Sequence, residues 1–211
     1  MMKKTIVITL VAFLTISSTA QAQLMRGYGI KGGAVSSNQS WHSVNSSTNL
    51  PTSDRWGFTL AGFLEFLNFP FLSSLLEAQY TQKGMIVTLP LVSVAEPYDP
   101  PLYATYRPRI DYLSILLLLK LRPPIDLVRP YVIVGPRLDL YILERDDRFY
   151  FNTHQFEPSD FGLVMGIGIE LEHPIPILVE FRYNPNYSDS LVDNFNSVRN
   201  RSRDFLVGFR F

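Results

Sequence analysis

Ten charged residues fall at positions that strand alternation turns to a single face: Lys31, Glu65, Glu77, Arg137, Asp139, Glu170, Glu180, Arg182, Asp204 and Arg210. Both signs are present. In a confined interior such a set serves best as an ion-pair network that satisfies its own charges, because an unpaired buried charge is costly. The other chemistry it supports is a narrow passage, or a site for one small solute. Glu170 and Glu172 are two apart and share a face, with one of them expected at the rim of the element that carries them.

The remaining reactive residues are sparse. His42 and His154, taken with Ser159 and Asp160, supply the residue types of an acyl-transferring or lipid-hydrolysing site, yet no nucleophile motif surrounds the serine. Two histidines without ligand spacing do not specify a metal centre, and His173 is isolated from both. Cysteine is absent, so thiolate chemistry and disulfides are excluded. The expectation is no enzyme, no catalytic residue, no cofactor and no metal.

The elements that must position these charges begin after an export signal. Lys3 and Lys4, an apolar run from Thr5 to Ile16, and Ala20-Gln21-Ala22 have the layout of a secretory signal peptide over residues 1–22. The run is shorter than the roughly 20 residues of a spanning helix. Taking those two lysines from 19 basic residues leaves 17 against 19 acidic ones, a net of −2. That balance excludes a nucleic-acid footprint. Leu113 to Leu121 is the one strongly apolar run further on, and it is about half the length of a spanning helix. A membrane form of residues 23–211 must therefore cross as strands.

The strands are legible from period-two alternation. From Asp160 to Glu172 the row Phe161, Leu163, Met165, Ile167, Ile169 and Leu171 alternates with glycines and acids. Further strands are expected near Met25 to Val35, Trp56 to Glu65, Ser73 to Lys83, Arg109 to Arg122, Tyr131 to Leu143 and Ile177 to Tyr187. The last residues make the eighth. In the fourth, apolar residues occupy both faces and the register cannot be read. Pro136 inside the fifth removes a ladder donor and suggests a bulge. Links after strands two, four and six are short; those after one, three, five and seven are long. That asymmetry matches short periplasmic turns and long external loops.

The chain resembles the small eight-stranded outer-membrane β-barrels that include PorT-like proteins and the "outer membrane protein beta-barrel" domains. The resemblance rests on Gly29-Ile30-Lys31-Gly32-Gly33, on Ala78-Gln79-Tyr80-Thr81-Gln82-Lys83-Gly84, on Ile110-Asp111-Tyr112-Leu113, on the segment Arg129 to Pro136, and on Glu180-Phe181-Arg182-Tyr183. It implies fold and location, and PorT itself is associated with type IX secretion. Phe205, Val207, Phe209 and the terminal Phe211 resemble the sorting signal read by the barrel-assembly machinery.

The expected fold is all-β: an eight-stranded antiparallel up-and-down transmembrane barrel in the cell outer membrane. Its partners would be outer-membrane lipid, the barrel-assembly machinery during insertion, and secretion-system proteins, with no nucleic acid. The expected role is a non-enzymatic structural or assembly component linked to protein secretion or surface export. The alternatives are a narrow transport or ligand-binding barrel, and a soluble lipocalin-type barrel with its apolar rows turned inward. Trp41, Trp56, Tyr80, Tyr112, Tyr131, Tyr141, Tyr183 and Tyr187 are expected in aromatic girdles at the membrane surfaces. The proline- and tyrosine-rich link from Gly84 to Pro108 is expected to be an external loop, either a stiff cap or a partner contact.

Overall fold

The computed structural model describes residues 25–43, 51–67, 69–91, 102–125, 128–145, 158–171, 176–188, 191–192 and 196–211. The long strands are β1 (Met25–Ser43), β2 (Thr52–Phe66), β3 (Leu72–Leu91), β5 (Arg109–Leu121), β6 (Val128–Arg145), β7 (Ser159–Leu171), β8 (Ile177–Pro185) and β10 (Asn196–Arg210). Each pairs antiparallel with the next, and β1 pairs with β10, so these eight close into a ring. Closure at the base is tight: the Tyr28 amide donates to the Phe211 carbonyl at 3.2 Å, and the Phe211 amide donates to the Tyr28 carbonyl at 2.7 Å. Two short strands, β4 (Leu102–Tyr106) and β9 (Leu191–Val192), pair only with β3 and β10 respectively.

The alternation has a definite sense. On β7, Phe161, Met165, Ile167 and Ile169 are exposed on the outer wall, Ile167 at 62%, while Val164 and Glu170 are buried inside. Phe58, Leu60, Leu117, Val132, Phe181, Phe205 and Val207 continue the exposed apolar band around the ring. A lipocalin-type barrel would turn these rows inward, so the soluble alternative is excluded, and the outer wall has the apolar face that lipid requires. Among the described residues no helix is long and apolar enough to cross a membrane. The inner row is glycine-rich because the lumen is crowded. A Cβ at Gly168 would stand 2.3 Å from the Tyr131 ring, and one at Gly29 would stand 2.5 Å from that of Phe63.

Several expectations need correction. The register of the leucine-rich strand is now defined: Ser114, Leu116, Leu118 and Lys120 point inward, while Leu113, Ile115, Leu117, Leu119 and Leu121 point outward. Both rows are apolar because Leu116 and Leu118 join an internal cluster with Phe63, Leu75, Tyr131, Ile133, Val164 and Leu178. Pro136 carries no register shift. The shift between β5 and β6 falls at Asp111/Tyr112, which leaves Ile142 as the extra residue. Much of the expected external loops is strand, since β1 runs on to Ser43 and β3 to Leu91, where it forms a hairpin with β4. Tyr112 and Tyr131 are not girdle residues; both are buried in the lumen, where their hydroxyls find polar partners. Trp56, Tyr183 and Tyr187 are exposed on the outer wall. The expected signal peptide, Glu172, His154 and His173 lie outside the described residues, and of His42 and Trp41 only the backbone is described.

Candidate functional site

The inward-facing charges lie in three layers along the barrel axis. At the base, beside the short turns, Glu65 and Glu170 meet four cations. Arg26 reaches Glu65 at 2.8 Å and Glu170 at 3.8 Å, Lys120 reaches Glu170 at 2.7 Å and Glu65 at 3.6 Å, and Arg122 reaches Glu65 at 3.2 Å. Arg210 pairs with Glu170 and stands 3.7 Å from Glu65. The Ser73 hydroxyl donates to Glu65 at 2.6 Å.

The central layer balances two cations against two carboxylates. Arg182 donates to both oxygens of Glu77, at 2.7 and 2.8 Å, and pairs with Glu180 two residues before it on β8. The bidentate geometry is what a planar guanidinium supplies and an ammonium cannot. Lys31 closes the square at 3.1 Å from Glu77 and 3.2 Å from Glu180. Tyr131 donates its hydroxyl to Glu180 at 2.8 Å. All four charged side chains are buried, so none of them is an ion waiting in an open channel.

Above it, Asp139 is held by Lys83 at 2.5 Å, by the Ser114 hydroxyl at 2.5 Å and by Arg137 at 2.9 Å. Arg137 donates onward to Asn186, which donates to Asp160 at 3.2 Å. Gln79 ties the layers together, donating to Thr59 at 2.7 Å and to Asp204 at 3.1 Å. Aromatic faces insulate the ammonium groups, with Lys31 4.7 Å from the Phe63 ring centre, Lys120 4.4 Å from Tyr131 and Lys83 5.0 Å from Tyr112.

The structure places nine of the ten sequence-selected charges in the interior as buried residues; Arg210 is at the basal rim with 12% of its side chain exposed. Sequence reasoning missed Arg26, Lys83, Lys120 and Arg122; Asp160, which alternation put on the row of glycines and acids, joins them inside. Lys83 had a signal in its place two, four and six residues beyond Thr81, Gln79 and Glu77 on one face of β3. Ser159 and Asp160 face opposite sides of the wall, with Ser159 exposed and Asp160 bonded inside to Asn186 and Asn200. Among the described residues no cluster of histidines and carboxylates suits a metal ion. An apolar recess of about 680 Å³ lies among the outward residues Phe71, Leu121, Val132, Ile167, Phe181 and Phe205 and also touches Tyr131, Gly168 and Glu180.

Residues 19–192 match the family described as "Outer membrane protein beta-barrel domain". Among solved structures, the outer membrane protein OprG from Pseudomonas aeruginosa is 12% identical, with 89% of this chain and 97% of that one covered, at a TM-score of 0.52. AlkL, solved in lipid bilayers, is 13% identical over 88% of this chain and 90% of that one, at 0.50. Ail of Yersinia pestis is 15% identical over 89% of this chain and all of that one, at 0.41. At these identities the likeness is one of fold. No curated protein matches the chain.

Proposed function

Because the chain belongs to the outer membrane protein β-barrel domain family, we propose that it acts there as a closed, non-enzymatic structural or assembly component linked to protein secretion or surface export. The observation that carries this reading is the central square of Lys31, Glu77, Glu180 and Arg182, whose paired side chains are all buried inside the ring. An eight-stranded barrel has room for side chains or for one small ligand, and this interior holds paired charges and an apolar cluster. A solute could pass only by separating charges that neutralise one another, at a cost of several kcal/mol for each pair broken (~3–5).

With the interior committed to holding the wall together, interaction falls to the outside. The projecting ends of β1 and β10 and the β3–β4 hairpin rise beyond the apolar band and offer partner surfaces. The PorT-like resemblance supports secretion-system proteins as those partners. Delivery uses residues 1–22 as a cleaved signal, and insertion by the barrel-assembly machinery uses Phe205, Val207 and Phe209, exposed on the outer row of β10, with Phe211 just beyond its end. The opposed faces of Ser159 and Asp160 support the non-enzymatic reading.

The test is to tag the mature N-terminus after Ala22, extract the protein from membranes in mild detergent, and identify what co-purifies. A stoichiometric outer-membrane or secretion-system partner is expected. Recovery of the barrel alone, at native expression and with crosslinking before extraction, would overturn the component reading.

A further inference from the structure

The outer wall of β10 changes character abruptly along its length. Phe205, Val207, Phe209 and Phe211 are exposed and apolar, and the next three outward positions toward the external end are Arg203, Arg201 and Arg199. The change happens between two adjacent rows of the sheet. In the lower row Phe205 is flanked by Phe181 on β8 and Ala34 on β1, with Phe58 next on β2. In the row above, Arg203 is flanked by Tyr183 and Ser36, with Trp56 beyond, and Trp56 is 71% exposed. Tyrosine and tryptophan mark the interfacial level of a membrane barrel. From Phe211 to Arg203 the strand rises about 26 Å along its axis, or roughly 20 Å along the membrane normal at a tilt near 40°, close to the height of the apolar band. Arg203 therefore stands at the upper edge of the hydrocarbon, and Arg201 and Arg199 stand in the headgroup layer above it.

Among the described residues, Arg201 and Arg203 are only partly matched by acid. Asp54 accepts from Ser36 and Asn38, each at 3.0 Å, and Arg203 lies 3.6 Å from it. That one carboxylate beside Arg203 already serves two other donors. The ladder neighbours of Arg201 are Asn38 and Pro185, both uncharged. Ser36, Asn38, Asp54, Tyr183, Arg201 and Arg203 together line a small polar niche opening on the wall.

The geometry points to this arginine ladder as a binding site for phosphorylated glycolipid headgroups of the outer leaflet. Successive arginine positions are about 6.7 Å apart along the strand backbone, each guanidinium able to take a phosphate oxygen pair in a fork, while Trp56 and Tyr183 flank the sugar level and Phe205 and Phe181 meet the acyl chains. Lysine in the same places would bind more weakly and with less geometric selection. The inference uses the outer-membrane placement of the barrel and is independent of any role in secretion.

The experiment titrates the folded barrel in dodecyl maltoside micelles with purified lipid A and, separately, with dephosphorylated lipid A, counting bound lipid by native mass spectrometry. The wild type should prefer the phosphorylated lipid by about tenfold or more, and R201Q/R203Q should lose that preference with its melting temperature unchanged. R201Q alone, which leaves the Arg203–Asp54 pair standing, should lose about threefold, whereas R129Q at the opposite rim should lose nothing. Equal binding of the two lipids by the wild type would overturn the site, as would equal binding of lipid A by R201Q/R203Q and the wild type. A failure of the barrel to fold in micelles or bilayers would instead count against the membrane placement.

Discussion

Replacing Arg182 with methionine should be among the most damaging single changes inside this barrel. Methionine keeps most of the length and volume of the side chain and removes the guanidinium, so packing loss is minor beside charge loss. Three things disappear: a bidentate pair to Glu77 at 2.7 and 2.8 Å, the pair to Glu180, and the neutrality of the central layer. Glu77 and Glu180 then share the Lys31 ammonium, at 3.1 and 3.2 Å, while Glu180 keeps the Tyr131 hydroxyl at 2.8 Å. Breaking a buried pair by removing one partner costs about 3–5 kcal/mol, and retention of Lys31 places R182M near the lower end, about 3 kcal/mol. E77Q leaves two cations on one carboxylate and should cost about 2 kcal/mol. The double variant R182M/E77Q is neutral again, so its cost should fall below the sum of the singles by about 1–3 kcal/mol. The assay is urea unfolding in phosphatidylcholine vesicles, followed by tryptophan fluorescence. A cost under about 1 kcal/mol for R182M, or strict additivity in the double variant, would refute the claim that this square is a coupled buried unit.

Three further outcomes follow from the same geometry. K120M should cost less than R182M, about 1 kcal/mol, because Arg26, Arg122 and Arg210 remain beside Glu65 and Glu170; the same urea titration ranks the two. G168A drives a Cβ toward the Tyr131 ring and should destabilise by about 1–3 kcal/mol, whereas G62A, where a Cβ meets nothing within 4 Å, should change stability by less than about 0.5 kcal/mol; thermal melts of the pair show the difference. I167R sets a charge in the lipid-facing band and should cost about 2–4 kcal/mol in vesicles, read as a lowered urea midpoint and reduced insertion yield.

Much of this architecture was legible because the side-chain period of a strand is two and one face of the wall must be apolar. Asp160 to Glu172 alternates without a break and marks β7 outright. The expected lumen charges came from the same arithmetic, since Glu180 and Arg182, or Glu77 and Gln79, lie two apart on strands whose other face is plainly apolar. Lys120 was hidden because β5 carries leucine on both faces, the inner ones filling the apolar patch between the basal and central layers. Tyr112 and Tyr131 were misread for a related reason: a tyrosine suits a lipid interface and a lumen with a waiting acceptor equally well, and only the positions of Asn200 and Glu180 across the barrel decide between them. Strand ends beyond the membrane were also illegible. Hydrophobic alternation stops at the headgroups, while backbone pairing of β1 with β10 and of β3 with β4 continues past them. The expected bulge at Pro136 failed because a missing donor does not require an extra residue; β6 keeps its register there and slips at Ile142.

A lumen closed by its own paired charges passes no ions, and the conductance of the purified wild-type barrel in a planar lipid bilayer measures this. The current should be indistinguishable from that of the bare bilayer at moderate voltage and salt, despite insertion verified by protease protection. Stable, ohmic steps that scale with the number of inserted barrels would contradict it.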